Sequence, residues 1–161
     1  MTSASREVDG VAAYGKYLDE SVQEVFGLMM GVECVSVADC PLSEPETISA
    51  VIGLAGAMSG TCVLRSGEKV ALRMAEALTG MPIMEIDATV KDAVGEVCNM
   101  VAGAWKGKQP ALASECMLST PTVVTGTNYH LHTQKPSFRM ERFYQFEQFS
   151  FGFTLVCEAM Q

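Results

Sequence analysis

The chain has 161 residues, enough for one domain with a sizeable core, and we expect a single domain over residues 1–161 with an ordered core at about 11–158. Hydrophobic residues make up 48% and charged residues 19%, which excludes a disordered tail or a low-complexity linker. The net charge of −8 argues against nucleic acid as the main ligand, because phosphate binding needs a basic surface. No apolar run reaches the roughly 18 residues of a membrane span, and the first residues lack a secretory signal's apolar core, so we expect a cytoplasmic protein that does not bind membranes.

The first half of the chain predicts one long helix and three strands. Apolar residues at helical spacing indicate a helix at 11–30 whose buried side includes Val22 and Met29, with Gly31 as its stop. A strand at about 32–39 and a turn-rich loop at 40–46 follow. Two further strands, near 47–56 and 60–65, are joined by a glycine-containing turn.

The second half begins with two helices and ends in strands. Ser66 is positioned to cap a helix at Gly67–Leu78, and a longer helix runs from about Val90 to Trp105. The remaining segments are strand-like, at roughly 113–119, 121–130, 139–146 and 148–157. The chain therefore predicts an α+β fold: a mostly antiparallel sheet of about six strands, two long helices and one shorter helix. The order of elements also suggests that a unit of one helix and three strands occurs twice.

Cysteine and histidine give no sign of a metal centre or a redox centre. The six cysteines include no Cys-x-x-Cys pair, so we expect reduced, mostly buried thiols. His130 and His132 share one side of a predicted strand, but they have no third ligand nearby and are better explained as a solvated strand end. We therefore predict no metal site and no cofactor of the protein's own.

The helix Val90–Trp105 has two distinct faces. At about 100° per residue, Asp92, Glu96, Asn99 and Gly103 fall within roughly 60° of one another, opposite the apolar stripe. Glu96 and Asn99 are an i, i+3 pair, so their side chains point the same way. Cys98 and Trp105 lie with the apolar stripe, which predicts an inert thiol and a core anchor.

This pattern alone is also typical of an ordinary solvated helix face. A glycine costs a helix about 1 kcal/mol relative to alanine. Gly103 therefore has two explanations. Either a glycine is tolerated there because the helix end is near, or a partner's backbone comes close at that position.

The segment from Asp92 to Gly103 resembles the signature of the CheC/CheX/FliY family, phosphatases of the chemotaxis response regulator. The family motif is Glu-x-x-Asn on a long helix, matched here by Glu96 and Asn99. The glycines between the apolar strands of Ile48–Arg65, and the short helix ending in Leu78-Thr79-Gly80, are similar to the family as well. The resemblance extends from about Ala12 to Cys157.

The resemblance implies a catalytic role for two residues. Asn99 would enter the active site of a phosphorylated CheY-like response regulator and orient a water for attack on the aspartyl phosphate, while Glu96 would pair with a lysine of the regulator. Asp92, Gly95, Met100 and Gly103 would contact that partner. Magnesium would belong to the regulator's active site, and the protein itself would need no cofactor.

The chain departs from CheC-type relatives, which carry the motif on both long helices. The first helix has Glu20 and Gln23 in place of Glu-x-x-Asn, so the resemblance implies one working site, as in the CheX type, with Gln23 as a degenerate second site at most. The alternative function is a non-catalytic module of the same fold that binds a regulator or acts as a scaffold, as flagellar switch proteins do. An unrelated ligand-binding domain, with Glu96 and Asn99 as ordinary surface residues, is a further alternative.

The resemblance also implies a homodimer. The sequence adds that the aromatic strands of Arg139–Cys157 would be an aggregation hazard at a sheet edge unless a second subunit, a helix or the 40–46 loop covers them.

Overall fold

The computed structural model describes residues 3–38, 42, 44–132 and 138–160, with side chains described from residue 12 to residue 157 within those ranges. The predicted turn at 135–137 and the sixth cysteine, Cys40, lie outside the described residues. In chain order the elements are α1 (Ser3–Val25) with a π-helical turn (Phe26–Met30), β1 (Cys34–Val37), β2 (Ile48–Gly56), β3 (Met58–Ser66), α2 (Glu68–Thr79), α3 (Ala88–Gly107), α4 (Pro110–Ala113), β4 (Cys116–Leu118), β5 (Thr122–Thr125), β6 (Phe138–Phe146) and β7 (Phe149–Met160).

The strands form one antiparallel sheet, which confirms the α+β class. Seven strands are present in the described residues, close to the predicted six, in the order β1-β6-β7-β3-β2-β4, with β5 also paired to β2. The centre of the sheet is the β3–β7 pair, in which Cys62 lies opposite Leu155 and Leu64 opposite Phe153.

The strand order is symmetric about that central pair. On one side, the hairpin β6–β7 is extended by β1 from the first half of the chain. On the other side, the hairpin β2–β3 is extended by β4 and β5 from the second half. Each half therefore contributes a helix, a hairpin and an edge strand that crosses to the other half's hairpin. This arrangement supports the predicted repeat of a helix-plus-strands unit.

The three long helices pack on one face of the sheet and enclose the core. Alternation along the strands directs Leu64, Phe151 and Phe153 toward these helices, where all three are buried. Phe26 stacks on Phe151 with ring centroids 5.1 Å apart, which joins the end of α1 to the middle of the sheet. No helix among the described residues is long and apolar enough to cross a membrane.

The buried side of α1 differs from the prediction near its end. Met29 was expected inside, but it is 55% exposed, whereas Met30 is buried. The cause is the π-helical turn, which adds about one residue per turn and so moves the apolar stripe on by one position. Gly31 ends the helix in the left-handed conformation (φ 67°), as predicted.

The start of α2 is capped by a different residue from the one predicted. The Ser66 hydroxyl donates to the Ile48 carbonyl (3.4 Å) and does not cap the helix. Gly67 is the N-cap residue, and the Glu44 carboxylate accepts a hydrogen bond from the Val70 amide (3.0 Å). A residue distant in sequence thus satisfies one of the helix's free amides, which a local motif cannot reveal.

Most of the two aromatic C-terminal strands lies inside the sheet. β6 lies between β1 and β7, and β7 lies between β6 and β3. The edge argument for a dimer is therefore wrong for β7 and for Phe143–Phe146 of β6, where β1 of the same chain pairs with it. Among the described residues, Phe138–Arg142 of β6 has no strand partner on that side. The strands predicted at 113–119 and 121–130 are shorter than expected, since α4 occupies the start of the first and His130 lies beyond the end of β5.

Candidate functional site

Helix α3 carries the candidate residues and is firmly capped. The Asp87 carboxylate accepts a hydrogen bond from the Val90 amide (3.0 Å), which satisfies a free donor at the N-terminus. Lys106 lies in the last turn, where its charge suits the helix dipole. The helix is two residues longer at each end than the sequence predicts, but its position is the same.

One face of α3 is anchored in the core. The Trp105 indole is buried and donates to the Tyr14 carbonyl (3.1 Å), and its ring packs edge-on against the Tyr14 ring. The Cys98 thiol donates to the Ala50 carbonyl of β2 (3.7 Å). Lys108, just beyond the helix, pairs with Glu24 of α1 (2.6 Å). These contacts hold α3 against α1 and the sheet, and they confirm Trp105 as a core anchor.

The opposite face of α3 presents the predicted strip to the surface. Asp92 and Glu96 are exposed, while Asn99, Met100 and Gly103 are half-buried. Within the described part of the chain, the Glu96 carboxylate and the Asn99 amide form no hydrogen bond or ion pair. Both polar groups are therefore available to a partner. We use the name docking strip for Asp92, Glu96, Asn99, Met100 and Gly103.

The two glycines of this helix differ in their surroundings. A Cβ at Gly103 would have nothing within 4 Å, so the surface there is open. Gly95 is buried, and a Cβ there would lie 3.2 Å from Pro121 Cβ. Because Gly95 is buried, the expectation that it contacts a partner is corrected. The missing side chain instead makes room for the segment that leads into β5.

Pro121 is the neighbour of the docking strip that sequence reasoning missed. It is exposed and lies beside Gly95, one position before Glu96. The sequence around Pro121 gives no sign of its contact with Gly95, because that contact depends on the pairing of β5 with β2.

Cys98 is unsuited to chemistry in the folded protein. Burial raises the pKa of its thiol to about 12, so the reactive thiolate is scarce near neutral pH. The five described cysteines are buried, and none of them forms a disulfide within the described part of the chain, as expected for reduced thiols.

Helix α1 carries two polar residues at the spacing of the Glu-x-x-Asn motif, but it lacks the asparagine. Gln23 is exposed and Glu20 half-buried, at the spacing of Asn99 and Glu96. Gly27, like Gly103, has open space where a Cβ would stand. The geometry thus repeats on α1, but a glutamine replaces the asparagine, and its amide stands one methylene further from the backbone.

The two histidines lie apart from the docking strip. His130 and His132 are exposed and follow β5, on a segment without regular structure, so they do not share the side of a strand. Among the residues that the structure describes, no group of three or more histidine, cysteine, aspartate or glutamate side chains could hold a metal ion.

Comparison with known proteins gives consistent results. The family profile described as chemotaxis phosphatase CheX matches residues 48–141, which is more than half of the chain and includes all of α3. The CheY-P phosphatase CheX of Thermotoga maritima is 29% identical over 110 residues, which cover 66% of this chain and 71% of that protein.

Two solved structures illustrate the likeness of fold. The chemotaxis protein CheX from Desulfovibrio desulfuricans superposes with a TM-score of 0.75 at 22% identity, covering 91% of this chain and 99% of that one. CheX in a CheX–CheY–BeF3–Mg²⁺ complex from Borrelia burgdorferi superposes with a TM-score of 0.73 at 18% identity, covering 91% and 98%. The extent of the family match shows that this chain belongs to the chemotaxis phosphatase CheX family.

Proposed function

We propose that this protein dephosphorylates the aspartyl phosphate of a CheY-like response regulator. The observation that carries the proposal is the docking strip. Its Glu-x-x-Asn pair has no partner among the described residues and lies on the outer face of a helix whose other face is buried in the core. Family membership supports it, as does the name of the Thermotoga maritima relative, a CheY-P phosphatase.

In this proposal Asn99 orients the attacking water. Phosphoryl transfer depends mainly on positioning and on compensation of charge, and an amide can both donate a hydrogen bond to a water and accept one from it. Anchoring by Trp105 and Cys98 fixes the backbone beneath Asn99. The rigid helix therefore restricts where the amide can stand when a regulator docks.

Glu96 binds the regulator in this proposal. Its carboxylate is exposed and lies one turn before Asn99, so a lysine of the regulator can approach it from solvent. An ion pair there would set the position of the helix along the regulator's active site. Asp92, Met100 and the open surface at Gly103 extend the contact on either side.

The metal ion, in this proposal, is supplied by the regulator. The solved Borrelia burgdorferi complex contains CheX together with CheY, BeF3 and Mg²⁺. The protein's own residues orient water and hold the regulator, and no step requires a cofactor bound to this chain.

Phosphate release from a phosphorylated CheY-like receiver domain tests the proposal. Adding the protein in substoichiometric amount should accelerate release over many turnovers. Stable binding of the phosphorylated receiver without acceleration would instead identify a non-catalytic binding module. Absence of both would leave the Glu96–Asn99 pair as ordinary surface and contradict the proposal.

A further inference from the structure

One exposed apolar residue stands directly beside the docking strip and has no role in the proposed function. Pro121 is exposed, and a Cβ built on Gly95 would lie 3.2 Å from the Cβ of Pro121 and 3.7 Å from its Cγ. Gly95 comes four residues before Asn99, and residues at that spacing on a helix are neighbours, about 6 Å apart. The ring of Pro121 therefore lies against α3 one turn before Asn99.

The position of Pro121 gives the Glu96–Asn99 pair an apolar neighbour on each side. At about 100° per residue, Gly95 and Met100 lie roughly 140° apart around the helix axis, with the pair between them. Met100 is half-buried and belongs to the docking strip, whereas Pro121 occupies the surface at Gly95. A protein surface that contacts the pair is therefore bordered by Met100 on one side and by Pro121 on the other.

The segment that carries Pro121 is fixed to the sheet. Residues 119–121 connect β4 with β5, and both strands pair with β2. Between the two strands, the Ser119 amide donates to the Gly53 carbonyl (2.9 Å), and the Ser119 hydroxyl accepts a hydrogen bond from the Gly53 amide (2.8 Å). The ring of Pro121 restricts its own backbone further. A surface held in place in this way loses little conformational entropy when a partner docks.

We propose that Pro121 contacts the response regulator and sets part of this protein's affinity for it. The inference rests on the proposed function, because it assigns a further contact to the partner of the docking strip. The ring of Pro121 would pack against an apolar part of the receiver domain beside its phosphorylation site, while Glu96 and Asn99 enter that site. Pro121 offers apolar surface and no group that can take part in proton or phosphoryl transfer. Its contribution should therefore appear in receiver binding and not in the rate of the chemical step.

Two substitutions of Pro121 separate an apolar contact from backbone stiffness. Pro121→Val and Pro121→Asn both remove the ring, but only the first keeps an apolar side chain. Each variant would be assayed by phosphate release from a phosphorylated CheY-like receiver domain and by binding of the same receiver loaded with BeF3 and Mg²⁺. We expect Pro121→Asn to raise KM and Kd at least fivefold with kcat within twofold of its original value, because an amide is buried less favourably than an apolar group. Pro121→Val should stay within twofold in all three quantities.

Pro45→Asn is the matched control for replacing an exposed proline by asparagine. Pro45 is exposed and directly precedes Glu46. Glu46 lines a cavity, together with Arg65 and Thr154, on the face of the sheet that points away from the long helices. Because the docking strip belongs to α3 on the other face, Pro45→Asn should leave KM, Kd and kcat within twofold of their original values.

The outcomes distinguish this inference from the proposed function. If the unmodified protein binds and dephosphorylates the receiver and Pro121→Asn does so equally well, the contact is wrong and the proposed function stands. Equal weakening by Pro121→Val and Pro121→Asn, or by Pro45→Asn, also overturns the contact, as does a fall in kcat without a rise in KM. Weaker binding by Pro121→Asn alone supports the contact, even if the unmodified protein binds the receiver without hydrolysis. An unmodified protein that neither binds nor dephosphorylates the receiver overturns both.

Discussion

Asn99 combines two properties that usually conflict: it stands on a rigid helix, yet its amide has no partner in the described part of the chain. The buried face of α3 supplies the rigidity through Trp105 and Cys98, so the amide does not need to be held by its own contacts. A polar group left free on a fixed support is suited to orienting a water at another protein's active site.

The variant Asn99→Ala should therefore retain its fold and lose activity. Asn99 is half-buried and has no partner among the residues that the structure describes, so removing its side chain should change the free energy of unfolding by no more than about 0.5 kcal/mol. Loss of the amide should slow phosphate release from a phosphorylated receiver by roughly tenfold or more. Gln23→Ala is the matched control on α1 and should hydrolyse normally. Near-normal turnover by a well-folded Asn99→Ala variant would refute the role.

Charge reversal at Glu96 should weaken receiver binding more than truncation does. Glu96→Ala removes the proposed ion pair, whereas Glu96→Lys adds repulsion between like charges. The difference between the two affinities should shrink at high salt, because exposed charges are screened. Glu20→Lys changes the net charge by the same amount on α1 and should have a smaller effect. Equal affinities for the two Glu96 variants would place Glu96 outside the contact.

At the scale of elements, the end of α1 shows how one turn redirects a helix. The π-helical turn at Phe26–Met30 rotates the apolar stripe, so that Phe26 and Met30 are both buried while Leu28 is 83% exposed. Gly31 then reverses the chain toward β1. Its amide, and that of Val32, donate to the Phe26 carbonyl, which closes the turn.

Gly31→Ala should destabilise the protein because of this backbone conformation. A side chain in the left-handed region costs about 1–2 kcal/mol, and Gly31 has a φ of 67°. Urea denaturation should show a loss of about that size. Gly27→Ala is the control, since its Cβ would meet nothing within 4 Å and its φ is not positive. If Gly27→Ala lowers the free energy of unfolding by a similar amount, the backbone conformation of Gly31 is not the cause of the effect.

At the scale of the whole molecule, buried thiols should make stability depend on pH. Burial raises the pKa of Cys34 and Cys98 to about 12 and that of Cys157 to about 11. An unfolded chain's thiols ionise near pH 8.5, so above about that pH the unfolded state holds fewer protons than the folded state. The free energy of unfolding is then at its full value below about pH 8.5 and falls as the pH rises toward the folded-state values.

Urea denaturation between about pH 8.5 and 10.5 should reveal this fall. Each buried thiol contributes up to about 1.4 kcal/mol per pH unit. We expect a combined slope of more than about 1 kcal/mol per unit, and Cys98→Ala should reduce that slope by one thiol's share. A flat profile over this range would contradict the assigned pKa values.

The homodimer remains a prediction, and the fold changes its basis. β3 flanks β7, but β1 flanks β6 only from Phe143 to Phe146, so a short edge at Phe138–Arg142 is left among the described residues. The expectation now depends mainly on the family resemblance, with this short edge as the remaining part of the sequence argument. Sedimentation at micromolar concentration should give twice the monomer mass of 17.3 kDa, and each dimer should bind two receivers if the docking strips are free. A mass near that of the monomer would refute the dimer, and one receiver per dimer would refute the free strips.

The sequence by itself determined the two faces of α3, because the spacing of its apolar residues reflects a helical period that does not depend on the rest of the chain. The faces on which Glu96, Asn99 and Trp105 lie could be predicted from that spacing, and the class of the fold from the patterns of the other elements. The match to a family motif then predicted the roles of Glu96 and Asn99. The burial of Gly95 could not be predicted, since it depends on Pro121, which reaches α3 only because β5 pairs with β2.

Long-range pairing also decided the remaining features. Glu44 caps α2, β1 covers Phe143–Phe146 of β6, and Arg65 and Thr154 line one cavity, although the members of each pair are far apart in the chain. Local periodicity reports which side of an element is apolar, but not which element will cover it. Which element covers an apolar side depends on how the strands pair across the whole sheet, so only the tertiary structure decided it.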